Sequence, residues 1–410
     1  MPLEMDADVL RTCVEELAMY GAQPGAGMRR LAYTPEWQGA MDQVAEWLRR
    51  EQLEVRRDAV GNLFGVLRGT EAGPSILTGS HIDTVVDGGR LDGALGVIAG
   101  YLALRVLKRW LGPPRKTLEL VAICDEEASR FHSNFWGSRA IAGLISPAEA
   151  DRITDQAGVS LAQAMRSCGL DPASVGEARR SDVDAFIELH IEQGPVLEKE
   201  HVSVAAVTAI TAIEQLECQI GGRADHAGGC PMDGRLDPMV ALAEMVLAAT
   251  EAATRLGPPA VATVGQVRAL PGAPNIVAAE VIFTLDARYP DLARHEAYVR
   301  SIRDSFADIA ARRGLGFRAR RLLYQPPASC STELVDTIEA AAVELGLPCR
   351  KMVSGAGHDT QVLIRAGVRG AMIFVPSIAG RSHSADESTS LDDMVKGVRL
   401  LTETLRRLAY

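Results

Sequence analysis

The apolar positions in the first part of the chain switch between helical spacing and short continuous runs. Helical spacing covers residues 6–20 and 35–51, and a buried helix is predicted at 93–108. Strands are predicted at three apolar runs bounded by turn residues, namely GNLFGVLRG, PSILTGS and TLELVAICD. Because the predicted helix lies between the second and third runs, the order strand, helix, strand predicts parallel pairing and an α/β domain.

The segment 210–325 has a different pattern. Its apolar runs follow the order strand, helix, strand, strand, helix, strand, which is the ferredoxin-like split pattern. A helix, the strand AMIFVPS and a C-terminal helix then resume the first pattern. We therefore predict a discontinuous α/β domain at 1–209 and 326–410, with a mixed, mostly parallel sheet, and an inserted α+β domain at 210–325.

Candidate ligands of a metal ion stand just past the ends of four apolar runs. Side chains that bind ligands in open parallel sheets gather outside the carboxyl ends of the strands, so four such endings predict one shared site. Imidazoles mixed with carboxylates suit zinc, manganese or cobalt. The pattern therefore indicates a metallohydrolase, with its chemistry at His81, Asp83, Asp92, Glu126, Glu127, His190 and His383.

Composition narrows the class of protein further. A chain of 410 residues is too long for one ordinary core, and a net charge of -10 argues against a nucleic-acid partner. No apolar stretch approaches the roughly 20 residues that span a membrane, and the acidic N-terminus lacks the basic start of a signal peptide. The seven scattered cysteines form no C-x-x-C pair. We therefore expect a cytoplasmic protein with reduced thiols and no membrane partner.

Six ordered motifs carry a resemblance to a known family. The chain resembles the M20 metallopeptidase-like amidohydrolases, specifically the hydantoinase/carbamoylase branch with its allantoate and N-carbamoyl-L-amino-acid hydrolases. The resemblance implies a di-metal catalytic domain with an inserted dimerisation or lid domain. It rests on GSHIDTVVDGGRLDGALGV, DEEASRF with FWGSRAIAG, ELHIEQGPVLE, ADHAG with PM, PGAPNIV with LDAR, and SGAGHDT with the C-terminal SHS.

This resemblance implies a cofactor of two divalent metal ions. One ion would be held by His81 and His190, the other by Glu127 and His383, and Asp92 would bridge both. Zinc or manganese is expected, and cobalt or nickel fits the same ligand types.

Catalytic roles follow from the same resemblance. Asp83 would hold the tautomer of the His81 imidazole, and Glu126, the first acid of its pair, would be the general base. His226 in ADHAG would donate a hydrogen bond to the developing oxyanion. In the family this histidine acts from the partner subunit, so a homodimer is expected.

Substrate recognition is expected to need a substrate carboxylate. Arg288 in LDAR can hold a carboxylate with two parallel hydrogen bonds, although it could equally be a surface ion-pair partner. Gln193, Asn275 and the backbone at Gly357 would complete substrate binding by analogy with the family.

Three positions depart from the pattern of the branch. Ala212–Gln215 stands where relatives carry Gly-Gln-Arg-Arg, and we expect Glu214 to disfavour a second substrate carboxylate. GGCP replaces Gly-Thr-Thr-Pro, and Ala128 replaces a glycine after the acid pair. These changes bear on the substrate rather than on the chemistry.

The leading hypothesis is therefore hydrolysis of the C–N bond of an N-carbamoyl (ureido) or related N-acyl amino acid. Two alternatives stay open. The same di-metal site could serve an N-acyl-amino-acid deacylase or a dipeptidase, and a non-catalytic dimeric protein could bind an amino-acid derivative.

Overall fold

The computed structural model describes residues 5–410, which divide into two compact units. The larger unit runs to Thr208 and returns as Ser329–Ser354 and His358–Tyr410. The smaller unit comprises Ala209–Ala328 and Gly355–Gly357. The three-residue segment Gly355–Gly357 belongs to the smaller unit, although the chain on either side of it belongs to the larger one. The first four residues of the predicted segment 1–209 lie outside the described residues.

The helices begin at sequence signals that satisfy their free N–H groups. Thr34 accepts from the Trp37 amide at the start of the second helix, and Ser390 accepts from the Asp393 amide at the start of the last one. The α-helices are α1 (Ala7–Ala18), α2 (Pro35–Arg50), α3 (Ala94–Leu111), α4 (Trp136–Ile141), α5 (Pro147–Arg152), α6 (Leu161–Ser167), α7 (Val196–Glu200), α8 (Pro238–Leu256), α9 (Leu292–Arg312), α10 (Thr332–Glu344), α11 (Asp359–Arg365) and α12 (Leu391–Ala409).

The strands form one sheet in the larger unit, and a four-stranded sheet and a short two-stranded ribbon in the smaller one. They are β1 (Glu54–Arg57), β2 (Leu63–Leu67), β3 (Ser75–His81), β4 (Leu118–Ile123), β5 (Val183–Ile191), β6 (Val204–Ile210), β7 (Ala212–Gly221), β8 (Asp225–His226), β9 (Val261–Leu270), β10 (Ile276–Val277), β11 (Glu280–Tyr289), β12 (Gly316–Gln325), β13 (Ala328–Ser329), β14 (Cys349–Ser354) and β15 (Arg369–Val375).

The centre of the large sheet is parallel. Its strand order is β1-β2-β4-β3-β5-β15-β6-β13, with β14 beside β6. The pairs β3–β4, β3–β5 and β5–β15 are parallel, whereas β1–β2, β2–β4 and β15–β6 are antiparallel. The predicted parallel pairing across α3 is confirmed, because His81 at the end of β3 lies opposite Ile123 at the end of β4.

Burial explains why the central strands read as continuous apolar runs. Every residue of β2, β3 and β4 is buried, as expected for strands covered on both faces. Helix α3 packs closely on the sheet at Gly96, where an added Cβ would overlap the Leu189 carbonyl oxygen. This contact sets α3 close to β5, directly after the segment that carries Asp92.

The smaller unit has an antiparallel sheet with helices on one face. Its strand order β12-β7-β11-β9, with α8 and α9 in the connections, is that of a ferredoxin-like split motif. Buried and partly exposed residues alternate along β11. Residues from the buried face, such as Phe283 and Leu285, form a core with Met245 of α8 and Phe306 of α9.

Within residues 5–410, none of the helices combines the length and apolar character that crossing a bilayer requires.

Candidate metal centre

The ends of four neighbouring parallel strands bring the predicted ligands together. In the order β4-β3-β5-β15, Glu127 follows β4, His81 ends β3, His190 lies near the end of β5, and His383 follows β15. Because these strands run parallel, their carboxyl ends share one edge of the sheet.

Asp92 lies at the centre of this group, with its two carboxylate oxygens turned to different partners. Its Oδ1 is 3.1 Å from Nε2 of His190 and 3.8 Å from Nε2 of His81. Its Oδ2 is 3.2 Å from Nε2 of His383, which is itself 3.3 Å from Oε1 of Glu127. The predicted ligands therefore form two groups that share Asp92, in which the ligand atoms of each group lie within 4.8 Å of one another.

The tautomers of two imidazoles suit metal binding. Nδ1 of His81 is 3.0 Å from the carbonyl oxygen of Asp83, and Nδ1 of His190 is 2.9 Å from that of Ile191. Because a carbonyl only accepts, each Nδ1 must carry a proton, and Nε2 is the nitrogen that faces Asp92 and can bind either a proton or a metal ion. Nitrogen and carboxylate donors arranged in this way fit divalent ions such as zinc or manganese.

Asp83 acts differently from the expectation. Its backbone carbonyl, not its carboxylate, fixes the His81 tautomer, since the nearest carboxylate oxygen is 3.9 Å from Nδ1. The carboxylate instead accepts the backbone N–H groups of Glu126 and Glu127, each at 3.1 Å. Asp83 therefore fixes the turn that carries the acid pair.

Glu126 is a largely buried acid beside the ligands, with a side chain that is 9% exposed. Burial raises its pKa well above the usual range, and the nearby charges of Glu127, Asp359 and Asp83 raise it further. One of its oxygens is 3.9 Å from Nε2 of His81. The environment therefore favours a proton on this carboxylate in the absence of added cations.

Asp92 and the histidines stabilise one another's charged forms, so the pKa of Asp92 is lowered and the pKa values of His190 and His383 are raised. Burial alone would raise the pKa of Asp92, but hydrogen bonds from His190 and His383 bring it well below its usual range. Burial lowers the pKa of His190, but Asp92 outweighs this and raises it to about 9. Hydrogen bonds to Asp92 and Glu127 raise the pKa of His383 to about 11. Cations, whether protons or metal ions, are thus strongly favoured between these side chains.

Gln193, predicted to bind substrate, lies on the cluster itself. Its side-chain Nε2 donates to Oδ2 of Asp92 at 3.0 Å and is 3.2 Å from Oγ of Ser382. Its backbone adopts a φ of 57°, in the left-handed region that residues other than glycine rarely occupy. A strained conformation at this position is typical of a functional site.

The departure at Ala128 has a backbone explanation. Ala128 has a φ of 52°, the left-handed conformation that glycine adopts without steric cost. The chain therefore keeps a glycine-like turn after Glu127 although the residue has changed.

The sequence reasoning missed several polar residues around the cluster. Glu387 is buried and accepts backbone N–H groups at Leu91 and Asp92. Its proximity to His383 in the sequence was the only signal, and an acid in a polar loop usually indicates solvent exposure.

His358, which the motif SGAGHDT left without a role, also lies beside the cluster. Its ring centroid is 4.6 Å from that of His190, and its Nε2 is 2.9 Å from Oγ of Ser354. Burial lowers the pKa of His358 well below its usual value, so this imidazole is neutral.

In the smaller unit, His226 and Asn275 come together. His226 of β8 pairs with Ile276 of β10, and the Ala227 amide donates to the Asn275 carbonyl at 2.9 Å. Nδ1 of His226 accepts the amides of Gly228 and Gly229 at 3.1 and 2.9 Å. Its proton must therefore be on Nε2, which makes the exposed imidazole a neutral hydrogen-bond donor.

Arg288 is occupied within the smaller unit. Its guanidinium forms two hydrogen bonds with the Asp286 carboxylate, at 2.8 and 3.2 Å, and donates to the Gly355 carbonyl at 2.9 Å. The ion-pair alternative is thus present, with a fork geometry that would also suit a substrate carboxylate. Gly357 belongs to the same short segment as Gly355.

Glu214 does not match its expected role against a second substrate carboxylate. Its side chain is only 4 % exposed, accepts from Nε of Arg321 at 2.9 Å, and lies 3.6 Å from Nε2 of His295. The carboxylate is therefore neutralised inside the smaller unit and does not present a free negative charge.

A parallel sheet with two imidazole and carboxylate groups sharing Asp92 defines the class as an α/β protein with a centre suited to divalent metal ions. The chain belongs to peptidase family M20/M25/M40, whose family model matches residues 77–407. The resemblance seen in the sequence motifs is thereby confirmed.

Within this family, the chain is similar over nearly its full length to proteins named as amidohydrolases. It is 39% identical over 405 residues to allantoate amidohydrolase of Escherichia coli K12, covering 98% of each chain. It is 39% identical to N-carbamoyl-L-amino-acid amidohydrolase of Paenarthrobacter aurescens over 402 residues, 96% of each. A crystal structure of a hydantoinase/carbamoylase family amidase from Burkholderia ambifaria matches with a TM-score of 0.90 at 35% identity, covering 100% of this chain and 99% of that one.

Proposed function

We propose that this protein is a metal-dependent amidohydrolase that cleaves the C–N bond of an N-carbamoyl (ureido) or related N-acyl amino acid. The observation that carries the proposal is the position of Asp92, whose two oxygens face His190 on one side and His383 on the other. The names of full-length relatives, allantoate amidohydrolase and N-carbamoyl-L-amino-acid amidohydrolase, support the substrate class.

The donor set supports two divalent ions, zinc or manganese, with cobalt or nickel as substitutes. His81 and His190 would hold one ion, Glu127 and His383 the other, and Asp92 both. When bound, such a pair activates water near neutral pH and polarises the substrate carbonyl.

Glu126 would move the proton. Its carboxylate oxygen takes a proton from the attacking water and delivers it to the leaving nitrogen, which is the work of a general base that becomes a general acid. Asp83 contributes by holding the backbone of Glu126 and Glu127 through its two carboxylate oxygens.

Four positions are proposed to hold the substrate. Arg288 would exchange its partner Asp286 for the substrate carboxylate, and Asn275, Gln193 and the backbone at Gly357 would add hydrogen bonds. The partner subunit's His226 would stabilise the oxyanion in a homodimer, and its Nε2 proton is available for this role.

The test uses the full-length protein stripped of metal and reconstituted with manganese or zinc. Ammonia and amine release are measured on ureido acids, N-acyl amino acids and dipeptides. Metal-dependent ammonia release from ureido acids supports the proposal. Amine release without ammonia would instead assign a deacylase or dipeptidase, and binding without turnover would assign a non-catalytic binding protein.

A further inference from the structure

We infer that Glu387 is a positioning residue that ties the turn carrying Asp92 to the loop carrying His383, and thereby sets the geometry of both metal positions. The inference rests on the proposed function, because it concerns how the proposed ligands are held. It also identifies a role for the segment after His383, which lies beyond the C-terminal motif SHS.

The contacts of Glu387 reach both parts of the cluster. Its Oε1 accepts the backbone N–H groups of Leu91 at 2.8 Å and Asp92 at 3.1 Å. Its Oε2 accepts from Oγ of Ser382 at 3.1 Å, and the same hydroxyl is 2.9 Å from Oδ2 of Asp92. Because the Ser382 hydroxyl has one proton, it lies between the two carboxylates and donates to one of them at a time, while Oε1 of Glu387 holds the backbone of Leu91 and Asp92.

The chain makes room for this carboxylate at Gly89. A Cβ at Gly89 would overlap the carboxyl group of Glu387, so only glycine permits the close approach. The Glu387 residue is 5% exposed although it lies in a loop of mostly exposed residues. A buried acid that accepts two backbone amides of a distant segment, and lies within hydrogen-bond distance of a hydroxyl in its own loop, is fixed in place rather than solvated.

The hydrogen bonds of Glu387 matter most for the position of His383. The side chain of His383 is 50 % exposed, whereas those of His81 and His190 are at most 3 % exposed. Packing therefore holds the two buried imidazoles, but little packing holds His383, and its loop depends on hydrogen bonds such as those at Ser382. Residues that orient metal ligands typically contribute 10-fold to 100-fold in metal affinity or activity.

The experiment compares the parent protein with Glu387→Ala, Gly89→Ala and the double variant. Metal-free protein is titrated with Co²⁺ to obtain the stoichiometry and dissociation constants, and the visible absorption spectrum reports the ligand geometry. Asp155→Ala is the matched control, because Asp155 also accepts two backbone N–H groups and one arginine but touches none of the ligands. Thermal unfolding of each metal-free variant separates folding from binding.

We expect Glu387→Ala to weaken at least one ion by about 10-fold to 100-fold and to change the cobalt spectrum. Gly89→Ala should act in the same way by displacing the carboxylate, and the double variant should lose no more than Glu387→Ala alone. Asp155→Ala should lose stability and keep both ions. Glu387→Gln, which keeps an acceptor for the amides, should recover part of the loss.

Three outcomes contradict the inference. Unchanged affinities and an unchanged spectrum in Glu387→Ala would overturn it while leaving the proposed function intact. A parent protein that binds no Co²⁺ would overturn the di-metal centre and this role together. If Glu387→Ala fails to fold, Gly89→Ala becomes the deciding variant. Parent-like Co²⁺ binding by Gly89→Ala would then overturn the inference.

Discussion

The two units treat charge in different ways. In the larger unit, carboxylates and imidazoles, among them the buried His81 and His190, converge on the buried Asp92 at the end of a sheet whose central strands are buried on both faces. In the smaller unit, the candidate side chains are hydrogen-bonded by near neighbours: Arg288 by Asp286, and Nδ1 of His226 by backbone amides. The cluster around Asp92 therefore favours the binding of cations, whereas Arg288 of the smaller unit would have to release Asp286 before it could bind another carboxylate.

The candidate residues of the two units also differ in how deeply they are buried. Asp92, His81 and His190 are buried away from water, so the charge on each needs an opposite charge or hydrogen bonds. His226 is exposed, and Arg288 is partly exposed. Because Arg288 is partly exposed, exchanging Asp286 for another carboxylate would cost it little desolvation.

The sharpest test of the larger unit is Glu126→Gln. The substitution removes the proton-carrying oxygen but leaves the predicted ligands, so turnover should fall by about 10²-fold to 10⁴-fold while both metal ions are retained. Steady-state rates and metal content by elemental analysis measure the two effects. Near-normal turnover would exclude Glu126 as the base.

Mixing inactive subunits tests whether the smaller unit acts across a dimer. In a heterodimer of His226→Ala and Glu126→Gln subunits, one site would combine an intact Glu126 with the partner's intact His226. Activity should therefore recover to about half of the parent dimer's, as measured on tandem-tagged, purified heterodimers. Heterodimers that stay inactive would count against a shared site.

Arg288→Lys should have a smaller effect, confined to substrate binding. Lysine keeps the charge but loses the two parallel hydrogen bonds, so KM for a substrate carboxylate should rise roughly 10-fold with kcat little changed. The corresponding substrate amide serves as the control and should respond much less. An equal response to acid and amide would mean that Arg288 only supports Asp286 structurally.

The smallest expected effect is on stability, and it comes from a buried, ion-paired carboxylate in the larger unit away from the cluster around Asp92. Glu119 pairs with Arg180 and Arg56 at 2.9 Å each, and its side chain is 5 % exposed. Glu119→Gln should destabilise the protein by about 1–3 kcal/mol near neutral pH, without changing turnover. The exposed pair Glu54–Arg68 is the control, and Glu54→Gln should change stability by less than about 1 kcal/mol.

The pH dependence of this difference follows from the pKa of Glu119. Burial raises that pKa, but hydrogen bonds from Arg180 outweigh it and leave it below the usual value. The stabilisation is therefore present above the unfolded pKa, about 4.3, and is lost as pH falls through the folded value. Urea unfolding should show the difference between Glu119→Gln and the parent narrowing in acid, and a constant difference would contradict this assignment.

Much of the fold was readable because the two units use different periodicities. Continuous apolar runs predicted β3 and β4, and their parallel pairing followed from the helix between them. Several other elements escaped the pattern. The strands β1 and β14 are largely exposed or partly exposed, so they lack the apolar signal of a buried strand.

Sequence by itself determined which residue types stand past the ends of the central strands, because a parallel sheet brings those ends to one edge. It also determined the family, since six ordered motifs carry that information. Only the tertiary structure decided how the groups are used. Asp83 holds the acid pair, Glu214 is neutralised internally, and Glu387 reaches Asp92 from 295 positions along the chain. Hydrogen bonds between distant segments leave no local periodicity, and their partners depend on angstrom-scale packing.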